Sequence, residues 1–173
     1  DGRRYLQFQF QITTSDPFAF GVLDSLAFEV SPLLADSVVA EVSLEGSGGR
    51  DARNEVVQGQ DTTFVFDLRT AFAGSDRPGF DVVDLDVPMG AQFVGLELNG
   101  VQAAAGTDFA LEETPGGMRF AFPALIRATT VFRFRYRAAL YTSSAFLGGQ
   151  VRNTSGTAGM LPQAIESGNA RDD

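Results

Sequence analysis

Asp81, Asp84 and Asp86, with Asp76 just upstream, form the densest acidic patch of the chain. On an extended segment Asp84 and Asp86 share a face, so with loop carbonyls they could offer oxygen ligands to Ca²⁺. The D-x-D-x-D-G spacing of a calcium loop is missing, and the competing reading is a solvated strand edge whose charges discourage strand addition. Asp51, Glu55 and Asp61 form a second, sparser acidic group around a loop. A cationic row runs through TVFRFRYRAAL, where Arg133, Arg135 and Arg137 alternate with Phe132, Phe134 and Tyr136. Such a row could bind a carboxylate- or sulfate-bearing glycan. Pairing with Asp and Glu of a neighbouring strand, at roughly 0.2–1 kcal/mol per pair, is the simpler expectation in an acidic chain. In a repeat assembly that neighbour could belong to another subunit, which makes the three arginines expected assembly contacts. Glu41 and Glu97 would serve glycoside hydrolysis only across a cleft of about 5–10 Å. Asp61-Thr62-Thr63 lacks the glycine of an aspartic-protease triplet, and Asn153-Thr154-Ser155 fits the N-glycosylation sequon.

What is missing narrows the chemistry further. All 13 basic residues are Arg, and the 173 residues include no Lys, His, Cys or Trp. That removes imidazole bases, thiolate nucleophiles, disulfides, N/S zinc sites, Schiff-base lysines and Lys–Asn crosslinks. Carboxylates, hydroxyls, Tyr and Arg remain, so the expectation is a protein that is not an enzyme and needs no cofactor beyond, at most, Ca²⁺. A net charge of −9 repels nucleic acid and anionic membranes. No apolar run reaches the ~18–20 residues that span a bilayer as a helix. The chain begins at Asp1 rather than Met, and the expectation is a processed or excised segment.

The elements that would position these residues are strands. Side chains alternate between apolar and polar at 5–14, 22–30, 37–45, 62–70, 80–88, 91–99, 109–113, 118–122 and 130–141, the period of a half-buried strand. Asp16-Pro17, Asn99-Gly100 and the Pro115-Gly116-Gly117 stretch mark turns. A bulge is expected near Ala40, a further short strand at 55–57, and at most one helical turn at 33–39. The strand grammar also repeats. A shift of 56 lays Leu6, Phe8, Phe10 and Ile12 on Thr62, Phe64, Phe66 and Leu68, and a shift of 54 lays residues 39–46 on 93–100. Four strands per copy are too few for a sandwich alone, so two copies would build one eight- to ten-stranded double layer or two lobes sharing an interface.

The fold expected is therefore all-β: an antiparallel β-sandwich of two pseudo-repeated lobes, 1–74 and 75–152, with an irregular tail at 153–173. The tail, NTSGTAGMLPQAIESGNARDD, has the composition of a linker, and is expected to be either loose or docked on the body or a neighbouring chain.

The ribbon followed by FGVLDSLAFEVSP, and the closing SSAFLGGQVRNTSGTAGMLPQAIESGNA, resemble regions of large secreted bacterial surface proteins that carry tandem immunoglobulin-like sandwich modules. The resemblance implies an extracellular or cell-surface location and a structural role, and it transfers no functional residue. The reading reached is a non-catalytic extracellular structural or interaction module, in its sharper form a filament or array subunit joined through edge strands and tail. Its partners would be its own copies or neighbouring modules. The alternative is a carbohydrate- or calcium-binding module presenting an exposed aromatic among Tyr5, Tyr136 and Tyr141.

Overall fold

A computed structural model describes residues 11, 13–16, 18, 21, 23–27, 31–47, 55–74, 76–142, 145, 147–156 and 160–170. The chain forms two compact units, residues 1–30 and 31–173. In the first, the Asp16 carboxylate accepts from the Phe18 amide at 2.9 Å, the Asx turn that an Asp-Pro dipeptide announces. Leu6, Phe8, Phe10 and Ile12, on which the repeat match to residues 62–68 rests, lie outside the described residues, and the described residues 23–27 are not in a strand.

The second unit is a β-sandwich with no helix among the described residues. Its strands are β1 (Ser37–Leu44), β2 (Asp61–Ala71), β3 (Phe80–Asp86), β4 (Gln92–Leu98), β5 (Val101–Ala103), β6 (Ala110–Thr114), β7 (Gly117–Ile126), β8 (Val131–Ala139), β9 (Gly148–Arg152), β10 (Gln163–Ala164) and β11 (Glu166–Ser167). A six-stranded sheet runs β11-β1-β2-β8-β4-β5 and a five-stranded sheet runs β10-β9-β3-β7-β6. Among the described residues, every pairing between these strands is antiparallel except β1 with β11.

Alternation explains the core. Phe64, Phe66 and Leu68 of β2, and Phe132, Phe134 and Tyr136 of β8, point inward from the six-stranded sheet. They meet Phe80, Val83 and Leu85 of β3 and Met118, Phe120 and Phe122 of β7. Phe120 and Phe134 touch across the layers with ring centroids 4.6 Å apart, and Phe122 reaches Phe132 at 5.6 Å. Aromatic contacts of this kind are worth about 0.5–1.5 kcal/mol each beyond the area they bury.

The two halves of the sequence interleave rather than stand apart. The boundary expected between residues 74 and 75 falls in the connection from β2 to β3, which passes from one sheet to the other of the same sandwich. β2 takes its partner β8 from the second half, with Phe66 opposite Phe134, because these two apolar strand faces bury each other's flanks best at the centre of one sheet. The bulge expected at Ala40 is not there: β1 holds register with β2 without a break from Ser37–Ala71 to Leu44–Phe64. Val38, Ala40, Val42 and Leu44 share one parity, so no extra residue is needed to keep them inward. The breaks in register lie instead at Phe80/Val82 in β3 and Phe93/Gly95 in β4.

Candidate functional site

The arginine row of β8 lies on the outward face of the six-stranded sheet, near its middle. Register puts Glu41, Asp67, Arg133, Glu97 and Gln102 in one line across β1, β2, β8, β4 and β5. Arg133 donates through Nε to Asp67 Oδ1 at 2.8 Å. The Asp67 bond holds the guanidinium above its ordinary pKa, and Asp67 is 1% exposed despite its outward parity. Arg135 reaches Glu45 at 3.6 Å, Glu97 at 3.5 Å and the Gln102 amide oxygen at 3.0 Å. Its guanidinium lies over Gly95, where a Cβ would stand 3.0 Å from Nη2. Arg137 donates to Gln92 at 3.0 Å and stands 3.9 Å from Asp61. Each of the three thus meets carboxylates or amides of its own sheet. Glu41 and Glu97 are three strand spacings apart in this line, about 14 Å, with Asp67 and Arg133 between them on an open sheet face. That is too wide, and too flat, for a pair of glycosidase carboxylates.

The three aspartates of β3 go to three different surroundings. Asp84 stands opposite Arg119 of β7 and Gln150 of β9. It takes the Arg119 Nε hydrogen bond at 2.8 Å and an ion-pair contact from Arg152 Nε at 2.7 Å, and Glu112 of β6 extends the ladder from Arg119 at 3.2 Å. Burial alone would raise its pKa, but these two arginines outweigh that and hold it below the carboxylate norm. Asp86 is exposed at the strand end. Asp81, next to the register break, is 4% exposed and turns to the segment after β9. It accepts the Thr154 amide at 2.7 Å, the Thr154 hydroxyl at 2.8 Å and the Ser155 hydroxyl. Among the described residues no group of three or more carboxylates is placed to share a metal ion. A cation at Asp81 or Asp84 would have to displace these donors.

The same contacts explain Asn153. Its amide donates to the Gly79 carbonyl at 2.9 Å and accepts from the Gly156 amide at 2.7 Å, so both ends of the sequon side chain are committed. Asp81 makes a prediction about acid stability. Burial pushes its pKa up, while Ser155 and Thr154 together pull it further down, so the charged form is favoured on folding. The contribution is present above the unfolded carboxyl pKa of about 3.9 and is lost as pH falls through the lower folded value. Denaturant melts are expected to show stability falling below about pH 4, and Asp81→Asn to cost about 1–3 kcal/mol at pH 7 while flattening that fall. A variant with wild-type midpoints at both pH values would contradict the role assigned to Asp81.

After this anchor, the C-terminal segment crosses from one sheet to the other. Gln163 and Ala164 form β10 against Val151 and Gln150, and Ile165 donates its amide to Gly149 at 3.0 Å. Glu166 and Ser167 form β11 beside Val39 and Ala40, and the Gly168 amide reaches the Ala40 carbonyl at 3.0 Å. The Gln163 amide oxygen accepts from the amides of Leu34 and Ala35 at 2.8 and 3.0 Å, its NH₂ donates to the Ala35 carbonyl at 3.2 Å, and the Leu161 amide reaches Ser31 Oγ at 3.1 Å. Gly149 is required here: a Cβ would collide with the Asp84 carbonyl oxygen and press on Ile165 Cδ1. We call residues 160–170 the clasp. Beside it opens a groove of about 1050 Å³ lined by Val42, Phe64, Phe66, Leu147 and Ile165, with Glu166 at its rim.

Composition alone pointed to a loose or docked tail; the clasp partners were not readable from it. Gln163-Ala164-Ile165 reads polar, apolar, apolar, so no period-two signal marked β10. Of the three tyrosines, Tyr5 lies outside the described residues, Tyr136 is buried with its pKa raised by burial, and Tyr141 is 73% exposed.

No protein-family description matches the chain, and no curated protein matches it significantly. Among solved structures, the pilus backbone of Streptococcus pneumoniae is similar at 14% identity and a TM-score of 0.44, over 66% of this chain and 51% of its own. The M1 zinc metallopeptidase of Deinococcus radiodurans is similar at 13% identity and a TM-score of 0.38, over 76% of this chain and 29% of its own. A two-domain M1 zinc metallopeptidase mutant bound to L-tryptophan is similar at 14% identity and a TM-score of 0.39, covering 78% of this chain and 31% of its own. The chain thus spans about half the length of the pilus backbone and under a third of the metallopeptidases. These likenesses carry no residue role across.

Proposed function

We infer that the chain is a non-catalytic structural and interaction module of the bacterial exterior or cell surface, one unit of a larger filament or array. One observation carries this reading: a Gly-, Ser- and Asn-rich C-terminal segment is used as edge strands on both sheets at once, β10 on β9 and β11 on β1. Main-chain ladders, the Gln163 amide and the apolar side chains of Ile165 and Ala170 do that work, and ladders of this kind are a general means of capturing an extended segment. Of the aspartates weighed for Ca²⁺, Asp81 and Asp84 are held by donors of the sandwich itself, which supports the same reading.

The test is analytical ultracentrifugation of the full chain over a wide concentration range, with electron microscopy of the pelleted material. Concentration-dependent species larger than a monomer are expected. A single monomeric particle at every concentration overturns the reading.

A further inference from the structure

We propose that the clasp is exchangeable, so that in assembled material the segment 160–170 of one copy occupies the sheet edges of a second copy instead of its own. The proposal rests on the module reading above and names the surface through which the module assembles.

Every group that receives the clasp belongs to the body of the sandwich and is repeated in each copy: the edge of β9, the Ala40 carbonyl, the Leu34 and Ala35 amides and Ser31 Oγ. A clasp from another molecule finds the same partners at the same geometry. Cis and trans capture then differ only by tether and concentration, the condition under which segment exchange is cheap.

The division between body and clasp is sharp on its upstream side. Asn153 through Gly156 are fastened to Asp81 and Gly79, so the clasp can leave without loosening β9 or β3. Residues 157–170, fully extended, reach about 45 Å from that anchor, enough to cross to an abutting copy.

A vacated site is also costly. Ile165 lines the groove whose floor includes Phe64 and Phe66, and Ala170 is fully buried. Departure of the clasp would bare that apolar strip together with the outer edges of β9 and of β1 at Val39 and Ala40, so a vacated copy recaptures a clasp from whichever chain supplies one. Each copy both gives and receives through different surfaces. The contact is therefore heterologous, and it extends as a chain unless rotation closes it.

The absence of cysteine makes a clean test available. Gln150 and Ala164 face each other across the β9–β10 ladder, and Ala164 is exposed. Directly opposed strand residues lie within disulfide reach. In the full chain, Gln150→Cys/Ala164→Cys is oxidised at rising concentration, and the sedimenting and monomeric fractions are run on non-reducing denaturing gels. Intramolecular crosslinks are expected in the dilute monomer, and covalent dimers and higher ladders in the sedimenting fraction. Mixing the Gln150→Cys chain with a mass-tagged Ala164→Cys chain should give the mixed dimer well above either homodimer, and this arm needs no doubly substituted fold. Assembly in which every crosslink is intramolecular overturns exchange and leaves the module reading standing. A chain that neither assembles nor crosslinks between copies overturns both.

Discussion

Cutting the chain after Gly156 is expected to lower the melting temperature by roughly 10–15 °C and to make the remaining sandwich prone to aggregate. The clasp contributes Ile165 and Met160 as partly buried apolar side chains, a fully buried Ala170, and the main-chain and Gln163 bonds to both sheets. At about 25 cal/mol per Å² for the apolar part and about 1 kcal/mol per retained hydrogen bond, less the entropy of ordering the segment, a net of about 3–5 kcal/mol is reasonable. For a domain of this size that converts to the shift given above. Aggregation follows from a different cause, since β9 and part of β1 would present open ladder groups next to the apolar groove. Gln163→Ala is the milder probe, because it keeps the strands and removes only the amide that ties Leu34 and Ala35 to β10; a loss of about 1–2 kcal/mol is expected. Calorimetry and light scattering read both. A truncated chain that melts with the full one would show that the clasp adds nothing.

The second large effect is expected at Arg133. Its guanidinium stands 2.8 Å from Asp67, whose side chain is 2% exposed, with Glu41 on one side of Asp67 and Glu97 on the far side of Arg133. Arg133→Met keeps an apolar stem on the sheet but takes the cation out of a line that then holds three carboxylates. Breaking a buried pair from one side costs more than the pair contributes, because the buried charge stays behind. Arg133 itself is 41% exposed, which places the expected loss near about 3 kcal/mol, at the lower end for such pairs. The companion variant decides the cause: Arg133→Met with Asp67→Leu should recover most of the loss in guanidinium chloride melts. If the double variant is as unstable as the single one, packing rather than charge explains Arg133.

The sequence carried most of this sheet pattern. Period-two alternation located β1, β2, β3, β4, β6, β7 and β8 to within a few residues, because in a sandwich each such strand has one face on the core. Asn99-Gly100 gave the β4–β5 hairpin, with φ of 50° and 79° at the two positions as a type I′ turn requires. β5, β9, β10 and β11 were missed. β9 is GGQVR, whose two glycines erase alternation, and the others are two or three residues long. The arginine row was legible as a charged face, and its cross-strand pairing followed from the acidic balance, but which carboxylate each arginine meets depends on register.

By itself, then, the sequence determined an all-β chain, the inward and outward sides of its long strands and the range of chemistry closed to it, since these follow from residue type and local period. Only the tertiary structure decided that β2 lies beside β8 in a single sandwich, that Asp81 holds Thr154 and Ser155, and that the polar tail closes both sheets. Except for β10 on β9, those pairings join positions roughly 60 to 130 residues apart, and what selects all of them is the burial of whole faces and edges, a quantity that no local stretch contains.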